Sequence, residues 1–371
     1  MATGLIGQRL KALREEKSLS QEDLAQVFGF KDRQTVSAIE NGERKLSADE
    51  LLMAVRKLET NIEYFTDPFC LVGEGRFNWR QASVSAAVLN AYQRKAGQMI
   101  AAFRALAAEM GERPTLMRHA LTLSRFSRFE DASDAGERFT AERRLGPVPA
   151  SRLIEVMESD LSLLVLMVDP SDDGISGAAC RLPELDVILI NRREPLGRRH
   201  FDLAHELFHI LTWDVLPPPH VEDVSAGAKK PRIEQLADAF AAALLMPARV
   251  VEAARNWGVL TGQALADALN VVADRLQVTS VALFWRVVAL GLLNRVGAPH
   301  VPPEGLRYNG KAGIGDDNVP PLFSRRFMEI MSRAIEEGRI SIRRLSGILD
   351  VDVDDLGEIF SAHGLRAPYA L

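Results

Sequence analysis

The sequence HFDLAHELFHIL, residues 200–211, places three histidines and two acidic residues in an otherwise apolar run. Residues four positions apart lie on the same face of an α-helix, so His205 and His209 can direct both imidazoles at one ion. Glu206, one position further along, can reach a water molecule beside that ion. Left unpaired in a buried helix, such polar groups would cost about 1–3 kcal/mol each. The run matches H-E-x-x-H and predicts a helix that carries a hydrolytic zinc site.

A third protein ligand is needed, because catalytic zinc sites usually have three protein ligands and one open position. The candidates are Glu234, Asp238 and His220. Glu234 and Asp238 are four positions apart in a second helical segment, IEQLADAFAAALLMP (233–247). One carboxylate can therefore bind the metal while the other accepts an N–H from a ligating imidazole. His220 lies in a proline-rich loop, where a surface or substrate-side position is expected.

The segments that precede the histidine helix indicate an α+β domain. A helical stretch beginning near Ala150 is followed by three short strand-like runs. These runs are LSLLVLMV (161–168), GISGAAC (174–180) and DVILIN (186–191), separated by Asp/Pro/Gly or Leu-Pro breaks. The histidine helix and the Glu234 helix come next, so we expect a small sheet covered by helices.

Taken together, DVILIN, the histidine helix and IEQLADAFAAALLMP resemble the ImmA/IrrE family of zinc metallopeptidases. The resemblance implies a zincin-like domain in which His205, His209 and Glu234 bind Zn²⁺. It also implies that Glu206 is the general base and that Asp238 supports an imidazole, as in gluzincin-type peptidases. The implied activity is that of a zinc-dependent endopeptidase.

The same resemblance, which extends over roughly residues 147–290, has consequences for the substrate. The strand DVILIN is expected at the edge of the sheet, where an extended peptide would pair with it by β-augmentation. Relatives with this peptidase domain cleave repressor proteins in response to stress or in mobile-element control. The implied substrate class is therefore a partner repressor or a toxin-system protein.

The first 66 residues are typical of a compact helical bundle with a helix-turn-helix. Leu24 and Phe28 share the apolar face of one helix, Gly29 marks the turn, and Val36 and Ile39 pack the next helix. Ser20 and Ser47, each followed three positions later by an acidic residue, are typical N-terminal caps. The residues predicted to contact DNA are Gln21, Arg33, Gln34, Thr35, Ser37 and Asn41.

This segment resembles the Cro/repressor-type helix-turn-helix of the XRE regulators. The resemblance implies that Arg33, Gln34 and Ser37 contact base edges, whereas Gln21 and Asn41 are suited to phosphates. Basic and acidic residues are nearly equal in number here, so each monomer should bind DNA weakly. We therefore expect a homodimer on a two-fold operator. The alternative is a module used only for protein interaction or dimerisation.

The composition of the whole chain narrows the classes of protein to which it can belong. The 371 residues carry a formal net charge of −5, which argues against a large surface that coats nucleic acid but is compatible with a local DNA contact. Two cysteines, Cys70 and Cys180, fit a reducing compartment. No apolar stretch approaches the roughly 20 residues that span a bilayer. The expected location is cytoplasmic, without a membrane partner.

The expected fold is multidomain, with an all-α domain, an α+β zincin-like domain with a small sheet, and a small helical C-terminal region. The predicted parts are a DNA-binding domain (1–66), a linker and long connecting helix (67–146), a zinc metallopeptidase domain (147–295) and a C-terminal region (296–371).

The expected function combines these parts. It is a DNA-binding transcriptional regulator whose peptidase domain cleaves a partner repressor or regulatory protein in a stress or mobile-element response. The alternative is a non-proteolytic transcription factor or antitoxin whose metal domain is a sensor or a protein-binding module.

Overall fold

The structure, a computed structural model, describes residues 2–112, 118–223, 230–293, 301, 305–306 and 319–369. Contacts between residues divide the chain into two compact units. The first unit comprises Met1–Arg76, Asn90–Arg113 and Arg333–Val353, and the second comprises Phe77–Leu89, Pro114–Ser332 and Asp354–Leu371. Each unit has its own apolar core.

The N-terminal part of the first unit is an all-α bundle, as predicted. Its helices are α1 (Ala2–Glu16), α2 (Gln21–Phe28), α3 (Arg33–Glu40), α4 (Ala48–Lys57) and α5 (Ile62–Thr66). Ser20 and Ser47 form capping boxes that start α2 and α4. Gly29 ends α2 at φ 69°, the left-handed conformation that glycine adopts without strain. The side chains of Leu24 and Val36 are fully buried in the core between these helices.

The residues that follow this bundle are held in the first unit by buried charges. The unit also contains most of α6 (Ala86–Glu109) and all of α15 (Ile342–Leu349). The fully buried Arg9 donates a hydrogen bond of 2.6 Å to the carbonyl oxygen of Cys70 and lies 3.6 Å from Glu74. Arg104 of α6 lies 3.8 Å from the same carboxylate. Residues 67–76 are therefore packed against charged partners.

The second unit is built around a mixed five-stranded sheet. Its strands are β1 (Arg76–Gln81), β2 (Leu164–Val168), β3 (Ile175–Arg181), β4 (Asp186–Asn191) and β5 (Val221–Asp223). Their order across the sheet is β2-β4-β3-β1-β5. β4 is parallel to β2 and antiparallel to β3, whereas β1 and β5 are parallel to each other.

The expectation that DVILIN forms the edge of the sheet is wrong. This run is β4, which lies between β2 and β3, and all six of its residues are buried. An unbroken run of Val, Ile and Leu is typical of a strand covered on both faces, and an edge strand usually carries charges instead. The edges of this five-stranded sheet are β2 and β5.

Strand β1 arises within the stretch 67–146, for which the sequence predicted a linker and a connecting helix. Every residue of β1 after Arg76 is buried. The backbone N–H of Trp79 donates to the carbonyl oxygen of His220 at 2.8 Å, and the indole stacks on Phe77 with ring centroids 5.4 Å apart. This pairing joins segments about 140 residues apart, so no local pattern indicates it.

The helices of the second unit pack on the sheet and on one another. They are α7 (Phe129–Glu142), α8 (Leu153–Ser159), α9 (Leu196–Thr212), α10 (Arg232–Leu245), α11 (Ala248–Ala254), α12 (Gly262–Leu276), α13 (Ser280–Ala289) and most of α14 (Arg325–Glu336) and α16 (Val353–Ala362). Helices α8 and α9 contact the sheet, and α9 carries the histidines. α9 packs against β3, β4 and α10. A Cβ atom on Gly136 of α7 would lie 2.5 Å from the carbonyl oxygen of Phe240, so glycine permits the close approach of α7 to α10. Among the described residues, no helix combines the length and apolarity needed to cross a membrane.

Candidate metal centre and nucleic-acid interface

The candidate metal centre lies where α9 faces α10 and the β1–β5 side of the sheet. His205, Glu206 and His209 of α9 are completely buried, and so is Glu234 of α10. One helix turn separates the two histidines, which places both rings on the face of α9 directed at α10. The hydrophobic residues of the two helices pack around these polar groups, so the site is enclosed by the apolar core.

Three ligand atoms form a compact triangle. The Nε2 atoms of His205 and His209 are 3.2 Å apart. The Oε2 atom of Glu234 lies 3.0 Å from Nε2 of His205 and 3.3 Å from Nε2 of His209. For Zn–N and Zn–O bonds of about 2.0–2.1 Å, tetrahedral ligand atoms lie about 3.3–3.4 Å from one another. The triangle is therefore close to one face of a tetrahedral zinc site.

Asp238 determines which ring nitrogen of His205 faces the triangle. Its Oδ1 lies 3.1 Å from Nδ1 of His205 and accepts the proton of that nitrogen, while Lys230 donates to Oδ2 at 2.6 Å. In the neutral imidazole, Nε2 then has a lone pair directed at the carboxylate of Glu234. Burial opposes ionisation of Asp238, but the hydrogen bond to His205 and the charge of Lys230 lower its pKa to about 2. A cation bound between Nε2 and this carboxylate would remove the repulsion between their lone pairs, so these donor atoms fit a metal ion.

Glu206 lies beside the triangle on α9. Neither of its carboxylate oxygens has a hydrogen-bond partner among the described residues, although the side chain is completely buried. Burial raises the pKa of Glu206 to about 8, against the lowering effect of His205. A buried carboxylate without partners and with a raised pKa is suited to accept and release a proton.

Glu222 of β5 and Arg80 of β1 are site residues that sequence reasoning missed. Oε2 of Glu222 lies 3.5 Å from Nε2 of His205, and the carboxylate belongs to a group of four ligands whose donor atoms all lie within 4.8 Å of one another. The buried guanidinium of Arg80 donates to Asp202 at 2.7 Å and lies 3.9 Å from Glu222. Both residues stand on short strands without a spacing motif, so only the sheet pairing could have identified them.

His220, a further candidate for the third ligand, lies elsewhere. Its ring is exposed, and its Nδ1 atom lies 3.1 Å from the carbonyl oxygen of Phe77. The grouped donor atoms come from His205, His209, Glu222 and Glu234. His220 therefore contributes its backbone carbonyl to the sheet and not its imidazole to the metal group.

Five of the six residues predicted to contact DNA lie on or beside α3. Arg33 and Gln34 are exposed in its first turn, which begins after the capping side chain of Asp32. Thr35 and Ser37 are partly exposed, and the Nδ2 atom of the exposed Asn41 lies 3.4 Å from Oγ of Ser37. Val36 and Ile39 pack into the core. The polar side chains thus share the outer face of α3.

Gln21 is held differently. Its Nε2 donates to Oε2 of Glu40 at 2.8 Å, and Oε1 of the same carboxylate accepts a 2.6 Å hydrogen bond from Nε of Arg14. The side chain predicted to bind phosphate is therefore engaged by the buried Arg14–Glu40 pair, although Gln21 lies at the N-terminus of α2.

Comparisons with known proteins show what these two regions are similar to. No curated protein matches the chain. One solved structure, the apo form of the competence regulator ComR from Streptococcus vestibularis, aligns with 98 % of this chain and 100 % of that chain at 10 % identity. Its TM-score of 0.17 does not indicate a common fold.

Two family models match parts of the chain. Residues 10–65 match a family described as helix-turn-helix, and residues 166–283 match a peptidase M78 family described as IrrE N-terminal-like domain. Both resemblances are thereby confirmed: the chain carries a helix-turn-helix domain and, around His205 and His209, an IrrE N-terminal-like domain.

Proposed function

We propose that this protein is a DNA-binding transcriptional regulator whose second domain is a zinc-dependent endopeptidase acting on a partner protein. One observation carries the peptidase part: three buried ligand atoms of His205, His209 and Glu234 lie 3.0–3.3 Å apart, beside the unpartnered carboxylate of Glu206. That arrangement combines a metal-binding face with a proton acceptor. The match of residues 166–283 to a peptidase family supports it.

The proposed chemistry assigns one task to each residue. His205, His209 and Glu234 would hold Zn²⁺, which when bound polarises the scissile carbonyl and makes water acidic enough to attack near neutral pH. Glu206 accepts the proton of the attacking water and passes it to the leaving amine. Asp238 keeps Nδ1 of His205 protonated, so Nε2 remains free to ligate. The apolar surroundings exclude other water from these groups.

For the DNA-binding part we propose that α3 enters the major groove. Arg33, Gln34, Thr35 and Ser37 would contact base edges, because their side chains share the outer face of α3. The phosphate contacts, by the same proposal, come from Gln21 and Asn41 at the ends of α2 and α3. A homodimer would place two such helices on a two-fold operator.

The proposed substrate is a partner repressor, regulatory protein or toxin-system protein, as the ImmA/IrrE resemblance implies. An extended segment of that partner would pair with the sheet at its β5 end, which is the end nearest to the histidines. The proposal divides the chain into 1–66, 67–146, 147–295 and 296–371, with β1 of the second part completing the sheet of the third.

The replacement Glu206→Gln tests the proposal in the full-length, zinc-loaded protein. We expect the variant to retain one zinc ion per chain but to cleave a random peptide library at least about 1000 times more slowly, because only the proton acceptor is lost. Glu252→Gln, at an exposed position of α11, makes the same chemical change away from the site and should cleave at the wild-type rate. Equal cleavage by Glu206→Gln and the wild type would refute the role of Glu206, and absence of cleavage by the wild type and by every variant with an open metal position would refute the peptidase.

A second function is favoured by the position of Glu222. Four protein ligands are typical of structural zinc sites, which cleave nothing. The metal domain would then be a sensor or a protein-binding module of a transcription factor or antitoxin. This reading predicts that Glu206→Gln leaves regulation unchanged, or that a partner protein co-purifies intact.

A further inference from the structure

Strand β5 fixes the backbone of Glu222 opposite the metal-binding face. β5 pairs with β1 in parallel register, so that Arg80 is the partner of Glu222. Register partners direct their side chains to the same face of the sheet, and here that face carries the contacts of Arg80 and Glu222 with α9. The carboxylate of Glu222 is thus held by the sheet and not by α9 or α10.

The surroundings of the Glu222 carboxylate indicate which kind of partner it lacks. Both of its oxygens are buried, and neither has a hydrogen-bond partner among the described residues. Nε2 of His205 lies 3.5 Å from Oε2 of Glu222 and is closer, at 3.0 Å, to Oε2 of Glu234. Arg80 Nε is 3.9 Å from Oε2 of Glu222, beyond hydrogen-bond distance. A metal ion shared with His205, His209 and Glu234 would give this buried carboxylate a positive partner.

We propose that Glu222 is a fourth, displaceable metal ligand, so that the described arrangement is a closed state of the site. Its donor atom lies within 4.8 Å of those of His205, His209 and Glu234, which allows all four to surround one ion. Catalytic zinc sites keep one position for water or substrate, and Glu222 fills that position. The inference of latency rests on the proposed peptidase function, whereas the ligand assignment does not.

The four ligands differ in how firmly the fold holds them. His205, His209 and Glu234 stand on helices of 17 and 14 residues that pack against each other in the core. Glu222 stands on a strand of three residues at the edge of the sheet, and β1 is its sheet partner. Withdrawal of β5 therefore breaks only a few backbone hydrogen bonds and leaves the other three ligands in place. A peptide that replaces β5 beside β1 would open the site where it is to be cleaved.

The test compares full-length wild type, Glu222→Gln and Val221→Ala, each loaded with Co²⁺ in place of Zn²⁺. Val221 is on the same strand and 36 % exposed, so its replacement alters β5 but not the carboxylate. We expect Glu222→Gln to weaken Zn²⁺ binding by at least the roughly 10- to 100-fold typical of losing an outer-shell partner. Its visible cobalt bands should lose intensity as water enters, and azide should shift them. Wild type and Val221→Ala should show intense four-coordinate bands that azide does not change.

The outcomes separate this inference from the proposed function. Unchanged Zn²⁺ affinity and cobalt bands in Glu222→Gln would overturn the ligand assignment, and so would azide binding to the wild type, which requires no variant to fold. Changed cobalt bands without peptide cleavage by any variant would leave the assignment standing and refute the peptidase. Latency itself requires that Glu222→Gln cleave peptides several-fold faster than the wild type, and slower cleavage would refute it.

Discussion

Asp238 offers the most direct measure of how much an outer residue contributes to metal binding. Its contact with Nδ1 of His205 is 3.1 Å long, and its side chain is 30 % exposed. Replacing such a partner typically lowers metal affinity by about 10- to 100-fold. Because water can reach part of this side chain and replace the lost acceptor, we expect the loss of Zn²⁺ affinity in Asp238→Ala to lie at the lower end of this range, near tenfold. A tenfold loss corresponds to about 1.4 kcal/mol.

The assay is competition for Zn²⁺ between the full-length protein and a coloured chelator. Lys230→Ala is the matched control, since it removes the other partner of Asp238 but leaves the acceptor for His205 in place. We expect this control to bind Zn²⁺ within about twofold of the wild type, because an exposed ion pair contributes little. Equal affinities of Asp238→Ala and the wild type would refute the reasoning that Asp238 fixes the tautomer of His205.

Four other outcomes are expected. Removal of metal by a chelator should lower the melting temperature, since the buried carboxylates of Glu222 and Glu234 then lack a cation, and added Zn²⁺ should restore it; an unchanged melting curve contradicts a metal in this site. Gly136→Ala should destabilise the protein by about 1–3 kcal/mol in urea unfolding, because its Cβ would meet the backbone of α10. Arg33→Ala should weaken binding to a selected operator by about 1–3 kcal/mol and relax the sequence preference in a binding-site selection, whereas a uniform loss would indicate a phosphate contact. Burial, with a smaller effect of Arg199, lowers the pKa of His200, so the unfolded chain takes up a proton that the folded chain resists. The free energy of unfolding, measured in urea, should therefore be highest above about pH 6.5 and decrease below it, and this decrease should be smaller in His200→Gln.

Local patterns in the sequence predicted the parts of the site that share one helix. His205 and His209, like Glu234 and Asp238, are four positions apart, and helical geometry alone puts each pair on one face. The starts of α2 and α4 were equally predictable, since Ser20 and Ser47 satisfy orphan backbone N–H groups within three residues. In these cases the relevant physics is contained within one or two helical turns.

The sheet could not be predicted in this way. The apolar run of β4 is compatible with an edge or an interior strand, and only its neighbours decide which. Arg80 and Glu222 are registered across a pairing between segments that are about 140 residues apart, whose formation depends on the whole core. A single acidic residue in a three-residue strand has no periodicity that could mark it as a ligand.

The pairing of Arg80 with Asp202 has a practical consequence for dissecting the protein. A fragment that begins at residue 147 would lack β1, and the buried carboxylate of Asp202, three residues before His205, would lose its 2.7 Å contact with Arg80 and retain the longer one of 3.6 Å with Arg198. Losing one member of a buried pair typically destabilises a protein by about 3–5 kcal/mol, and the remaining contact with Arg198 lowers that cost in this case. The smallest autonomous version of the metal-binding half must therefore include the residues of β1, far upstream of the H-E-x-x-H segment.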